Sequence, residues 1–289
     1  MSILFPVLFP IFVLILIGYL YAKTRPIDME FANRLNMDIF IPALLIDALS
    51  RKSFNLLDYQ ELALSGIILV LASGILAWLL AKAMKLSVRM FVPSMMFNNC
   101  GNMGLPLAIL AWGNDALAAA VVLFLSSNLL HFTLGTYIVG GKISWWNLLK
   151  MPVNVATIIG LTISFTQWEI PPTIHKPIEM LAQIAIPLML VALGVRMTTV
   201  DLKAWRVGLI GAIVCPLISV IVAFGILFIM PLEPNQRVQL LMFAALPPAV
   251  LNYMFAEKYN HQPTEVASIV VVGNALSIFF LSLMLLYVG

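Results

Sequence analysis

Charge is what this sequence has least of. Only 10% of its 289 residues are Asp, Glu, Lys or Arg, whereas 62% are hydrophobic and the mean hydropathy is +1.03. A soluble domain carries about 25% charged residues, so lipid is the expected solvent for much of this chain. Cysteine is scarce too. Cys100 and Cys215 sit far apart inside apolar runs, and the three histidines (His131, His175, His261) are scattered. That spacing argues against a structural disulfide and against a metal site. No nucleotide-binding loop and no nucleophile–base pattern is present, so neither an enzyme nor a cofactor is expected. The net charge of +3 is small and comes from loops, which does not make a nucleic-acid surface.

What is abundant is apolar sequence in long runs. A helix needs about 20 apolar residues to cross the hydrocarbon core. Ten such runs lie near 3–22, 32–50, 61–82, 89–112, 115–139, 150–167, 174–195, 206–230, 236–257 and 264–288. None alternates apolar with polar residues as barrel strands do, so the expected class is an all-α membrane protein of ten transmembrane helices. The first run has an uncharged start, exceeds the length of a signal-peptide core and leads into a charged loop, so it is read as a span. Twelve Lys or Arg fall in the loops of one side, among them Lys23, Lys82, Lys150, Arg196, Lys203 and Lys258; the other side has Arg51, Lys52, Lys176 and Arg237. The richer side is expected to be cytoplasmic. The expectation is therefore a multi-pass inner (plasma) membrane protein with both termini outside the cytoplasm.

Ten runs divide into two sets of five, and marks recur between them. Ile41-Pro42 followed by Arg51 is echoed by Ile186-Pro187 followed by Arg196; Gly18 matches Gly160; Leu105-Pro106 matches Leu246-Pro247. The predicted units are 1–140 and 147–289. An odd number of spans per unit turns the second copy upside down, and inverted repeats of this kind place a substrate site where broken helices meet near the midplane.

Two runs are broken. Asn98-Asn99-Cys100-Gly101-Asn102-Met103-Gly104-Leu105-Pro106 interrupts the fourth, and Leu246-Pro247-Pro248-Ala249-Val250-Leu251-Asn252 the ninth. Gly costs about 1 kcal/mol and Pro about 3 kcal/mol against Ala in a helix interior, and lipid offers no partner for the freed backbone groups. Such segments persist when buried in protein or lining a wet cavity. Half-helix N-termini there would carry partial positive charge suited to an anion, and asparagine amides would add donors.

At these segments the chain resembles the auxin efflux carrier family, which includes plant PIN auxin exporters and bacterial carriers of malate- or malonate-like acids. The carrying residues are Asn99 through Pro106, Leu246 to Asn260 (LPPAVLNYMFAEKYN), Ala32-Asn33-Arg34 ahead of Pro42, and Lys150-Met151-Pro152-Val153-Asn154. The resemblance implies two inverted five-helix repeats with two crossover helices, a fold of the bile-acid-symporter or NhaA-like kind. It also implies a scaffold of spans 1, 2, 6 and 7, a transport domain of spans 3–5 and 8–10 moving like an elevator, and a homodimer. Asn99 and Asn154 match positions that hold a carboxylate in the family. With the broken segments, the candidate substrate-binding residues are Asn99, Gly101, Asn102, Gly104, Pro106, Asn154, Pro247, Pro248 and Asn252.

Other polar residues carry weaker signals. Asp38 and Asp47 lie within span two, and intramembrane carboxylates are functional candidates. Asp47 stands four residues before Arg51, a spacing for a local ion pair. Asp38 has Arg34 four residues before it as a possible partner, or couples an ion together with Gln183, which keeps the same register to Pro187. Asn128 and His131 share a helical face, Asn274 is a lone polar residue in span ten, and Glu257-Lys258 reads as a solvated helix end. The expected function is a secondary transporter or uniporter for a small organic anion. A sodium- or proton-coupled symporter and a ligand-binding receptor without transport are the alternatives.

Overall fold

The computed structural model describes residues 4–25, 27–51, 54–143, 145–198 and 204–288, and among them every regular element is helical. Lys52 and Lys203, two of the loop charges used above, lie outside the described residues. Helix α1 is Leu4–Thr24, α2 covers 30–49 and α3 is Gln60–Ala83. The fourth helix has two parts, α4a (Val88–Met96) and α4b (Cys100–Trp112), and is followed by α5 (Asn114–Ile138). The second half holds α6 (Pro152–Thr166), α7 (Pro172–Arg196), α8 (Trp205–Ile229), a divided ninth helix with α9a (Pro234–Ala244) and α9b (Val250–Lys258), and α10 (Pro263–Val288).

Among the described residues, six stretches are long and apolar enough to cross a membrane unbroken: α1, Leu57–Ala83 around α3, α5, α7, α8 and α10. At 1.5 Å per residue, the 21 residues of α1 reach about 31 Å, the thickness of a hydrocarbon core. The other four predicted spans are also helical but fall short for visible reasons. Helix α2 carries Glu30, Arg34, Asp38 and Asp47, α6 has 15 residues, and the fourth and ninth helices are each cut in two.

Proline explains the local shape. Residues 36–40 and 100–104 form π turns just ahead of Pro42 and Pro106. A proline leaves the carbonyl four residues back without its N–H and crowds it. Those carbonyls belong to Asp38 and Asn102, inside the two widened turns. The π turn also undoes the predicted Arg34–Asp38 pair. It adds to the helical repeat between them, so Asp38 is exposed and Arg34 pairs with Glu30 at 2.6 Å instead.

Packing sorts the helices. Helix α1 lies along α7, and α2 packs on α6 and α7; α3 packs on α4a, α5 and α8, α8 on α10, and α9b on α10. The tightest crossing is α1 on α7. A Cβ on Gly18 would collide with the Val191 carbonyl, and one on Gly194 with the Ile15 carbonyl. Glycines that let two backbones touch are the usual means of close helix packing in lipid. Gly160 of α6 meets α2 in a similar way, where its Cβ would stand 2.8 Å from that of Leu49.

Candidate functional site

The two broken helices meet. After α4a the chain runs extended through Phe97–Asn99, and after α9a through 247–249, where consecutive prolines remove two N–H groups and hold the backbone extended. The segments pair antiparallel at Asn98 and Pro248. The Asn99 N–H donates to the Pro247 carbonyl at 2.7 Å, and the Ala249 N–H to the Phe97 carbonyl at 2.9 Å.

Asparagine side chains complete the framework. The Asn98 amide Nδ2 lies 3.1, 3.0 and 3.2 Å from the carbonyls of Phe243, Ala244 and Leu246 around the end of α9a, where carbonyls run out of helical donors; Phe243 also accepts from the Leu246 N–H at 3.3 Å. Its Oδ1 accepts from Ser219 Oγ at 3.3 Å. Asn99 Nδ2 donates to Asn274 Oδ1 at 2.9 Å, and Asn274 Nδ2 donates to the carbonyls of Pro248 and Val270 at 3.1 and 2.8 Å. Asn252 Nδ2 donates to the Phe97 carbonyl at 3.2 Å. Two buried atoms nearby have no hydrogen-bond partner among the described residues, Asn252 Oδ1 and His131 Nε2. The His131 ring stacks on Phe97 with centroids 4.0 Å apart.

Helices α4b and α9b both begin at this crossing. Gly101 and Asn102 are its open part: both are partly exposed, whereas Asn98, Asn99, Gly104, Pro106, Pro247, Pro248 and Asn252 are buried. First-turn N–H groups lack helical carbonyls, and an anion set against Gly101 and Asn102 would meet such donors beside the Asn102 amide. Gly104 is closed from behind, since a Cβ there would stand 2.9 Å from Phe243 of α9a.

The remaining predicted residues lie apart from this framework. Asn154, half-buried at the start of α6, donates to the Leu148 carbonyl at 2.6 Å. Gln183 is exposed on α7 and reaches Glu179 at 3.4 Å, and Asp38 is exposed at its π turn. Asp47 forms the expected pair with Arg51 at 2.7 Å and a contact the sequence did not suggest, His175 Nε2 at 3.0 Å. Among the described residues no cluster of three or more His, Cys, Asp or Glu could hold a metal ion, and both cysteines are free and buried.

Two contributors escaped the sequence reading. Asn98 was visible only as part of a polar cluster, and nothing local reveals that its partners lie 145 residues on. Glu257, read as a solvated end, accepts from Tyr253 Oη at 2.9 Å and lines a cavity of about 210 Å³ with Tyr253 and Arg196. The recurrence of Arg after Ile-Pro at 51 and 196 was the available signal for Arg196.

Comparison with known proteins gives the family. A sequence profile described as membrane transport protein matches residues 3–139 and 137–285. An uncharacterized transporter of Methanocaldococcus jannaschii is 24% identical, the match covering 94% of this chain and 95% of that protein. A protein of Rhizobium meliloti whose name proposes it as a malonate transporter is 25% identical over 93% of this chain and 91% of its own length. The family and both relatives are transporters, and the chain belongs to this membrane transport family, the auxin efflux carrier family whose broken-helix motifs it carries.

Proposed function

We propose that the chain is a secondary transporter moving a small carboxylate across the membrane by alternating access, with the substrate held at the crossing. The observation that carries this is the pairing of two helix breaks at Asn98 and Pro248, directly ahead of partly exposed Gly101 and Asn102, inside a framework in which Asn98, Asn99 and Asn274 are engaged. Preorganised amides and helix N-termini favour an anion without placing a fixed positive charge in lipid. The relative named for malonate supports a short carboxylic acid as the first substrate to try.

The wider reading is a ten-helix inverted repeat, 1–140 and 147–289, with α1, α2, α6 and α7 as scaffold and the other helices as an elevator-like transport domain. Packing supports the division, because α7 lies against α1 and α2, and α2 against α6, while α8 joins α3, α4a and α10. Mirrored contacts support the repeat. Gly18 meets Val191 of α7 and Gly160 meets Leu45 and Leu49 of α2, the second and seventh helices each receiving a glycine from the first and sixth. Both termini outside the cytoplasm and a homodimer belong to the same proposal. Ion coupling through Asp38 and Gln183 has the least geometric support, since both are exposed. An Asp38→Asn variant with unaltered flux and unaltered pH dependence would remove it.

The test is uptake of labelled malonate, malate and indole-3-acetate into proteoliposomes under imposed potentials. Saturable, potential-sensitive flux that is lost in Asn102→Ala and Asn99→Ala is the expected result. Binding without flux for every acid would replace the carrier with a receptor, and flux that requires sodium would replace the uniporter with a symporter.

A further inference from the structure

We propose that the cavity between α7, α9b and α10 is a second carboxylate site, an entry chamber to the crossing in which Arg196 takes the incoming carboxylate in competition with Glu257. This rests on the anion-carrier reading and names a step before binding at the crossing.

The cavity holds about 210 Å³, room for one small organic acid. Its polar lining is confined to Arg196, Tyr253 and Glu257; the rest is apolar, including Leu193, Val250 and Val270. Its inner wall belongs to the crossing. Val250 opens α9b directly after Ala249, whose N–H is bound to Phe97. The Val270 carbonyl accepts from Asn274, the residue that holds Asn99. A solute in the chamber therefore borders the framework of the proposed site.

The charges are arranged for competition. Arg196 ends α7, whereas Tyr253 and Glu257 lie one turn apart on α9b, and all three line the same cavity. Guanidinium is the group best shaped to take a carboxylate through two parallel hydrogen bonds. Glu257 can withdraw at little cost, because it is exposed and already accepts from Tyr253 Oη at 2.9 Å. An arriving acid thus meets Arg196 while Glu257 keeps its own partner, so no buried charge is stranded. Competition from Glu257 keeps the chamber weak, which suits a solute that must move on. Arg196 and Glu257 also stand on opposite sides of the proposed scaffold–transport seam, so a bound acid sits on that seam.

The experiment uses the full-length protein with malonate as probe. Half-saturation of flux is measured in proteoliposomes, and malonate binding by thermal shift in detergent. Arg196→Ala is expected to raise the half-saturating concentration by about tenfold or more, the value of one charge-assisted pair. Arg196→Lys should recover part of it, and Glu257→Gln should lower it several-fold. In Asn99→Ala, which disables the crossing, malonate should still shift melting, and adding Arg196→Ala should abolish that shift. Unchanged half-saturation in Arg196→Ala and Glu257→Gln, beside lost flux in Asn99→Ala, overturns the chamber and leaves the carrier standing. If Arg196→Ala does not fold, Glu257→Gln decides alone, and an unchanged value overturns the proposal. A wild-type protein that neither binds nor carries malonate, malate or indole-3-acetate overturns both.

Discussion

Asn98 and Asn102 are four residues apart, yet the fold gives them opposite surroundings. Asn98 is buried and serves three carbonyls of the α9a end, whereas Asn102 is partly exposed at the start of α4b. Replacing Asn98 by Leu strands the Ala244 and Leu246 carbonyls at about 1–3 kcal/mol for each buried group left unpaired. A clear fall in melting temperature of the detergent-purified protein is expected, and an unchanged one would mean another donor reaches them. Asn102→Ala should instead keep the melting temperature and lose flux. The polar cluster itself was legible, because asparagines, glycines and a proline cannot form comfortable lipid-facing helix. Which asparagine braces and which faces open was not legible, since the answer depends on carbonyls in the other half of the chain. Arg196 was legible as a loop charge and a mark of the repeat but not as a cavity residue, because a cavity exists only once α7, α9b and α10 are assembled.

At the scale of elements, hydropathy located the helices well and failed where polar geometry intervenes. Helices α1, α5, α7, α8 and α10 end within a few residues of their apolar runs, because lipid demands an unbroken length. The Arg34–Asp38 pair failed because a spacing of four assumes a regular helix and the π turn at 36–40 is not one. Asp47 shows the reverse case. Its i,i+4 pairing with Arg51 was readable, but the contact with His175, which ties the end of α2 to the start of α7, needs the tertiary fold. Asp47→Asn should destabilise the protein by about 1.5–3 kcal/mol, the worth of hydrogen bonds to a charged group, measured by thermal or denaturant unfolding. The α1–α7 crossing gives a sharper contrast. Gly18→Ala or Gly194→Ala drives a methyl group into a backbone carbonyl and should cost about 1–3 kcal/mol. Gly225→Ala in α8, where the added carbon meets nothing within 4 Å, should be neutral or stabilising by up to about 1 kcal/mol. Equal effects at all three positions would refute the close-contact explanation.

For the whole molecule, the proposed motion separates helices that pack loosely and preserves those that pack tightly. The glycine seam of α1 and α7 and the stitched crossing each lie inside one group, and the Arg196 cavity lies between groups. Leu193 and Met254 line that cavity from α7 and α9b. Joining Leu193→Cys to Met254→Cys with a short cleavable cross-linker should arrest transport, and cleaving the linker should restore it. The native Cys100 and Cys215 are buried and should react little, which the unsubstituted protein checks. Undiminished flux in the cross-linked protein would show that α7 and α9b keep a fixed distance.

The stitching of Phe97–Asn99 to 247–249 also has a consequence for time. The partners of Asn98 are 145 to 148 residues downstream. At about 5–20 residues per second, the ribosome reaches them roughly 7–30 s after making Asn98. Throughout that interval the first five helices carry an unfinished centre, with polar backbone waiting beside lipid. The nascent first half is therefore the stage most exposed to quality control, and the cell commits to a finished carrier only when the ninth helix arrives.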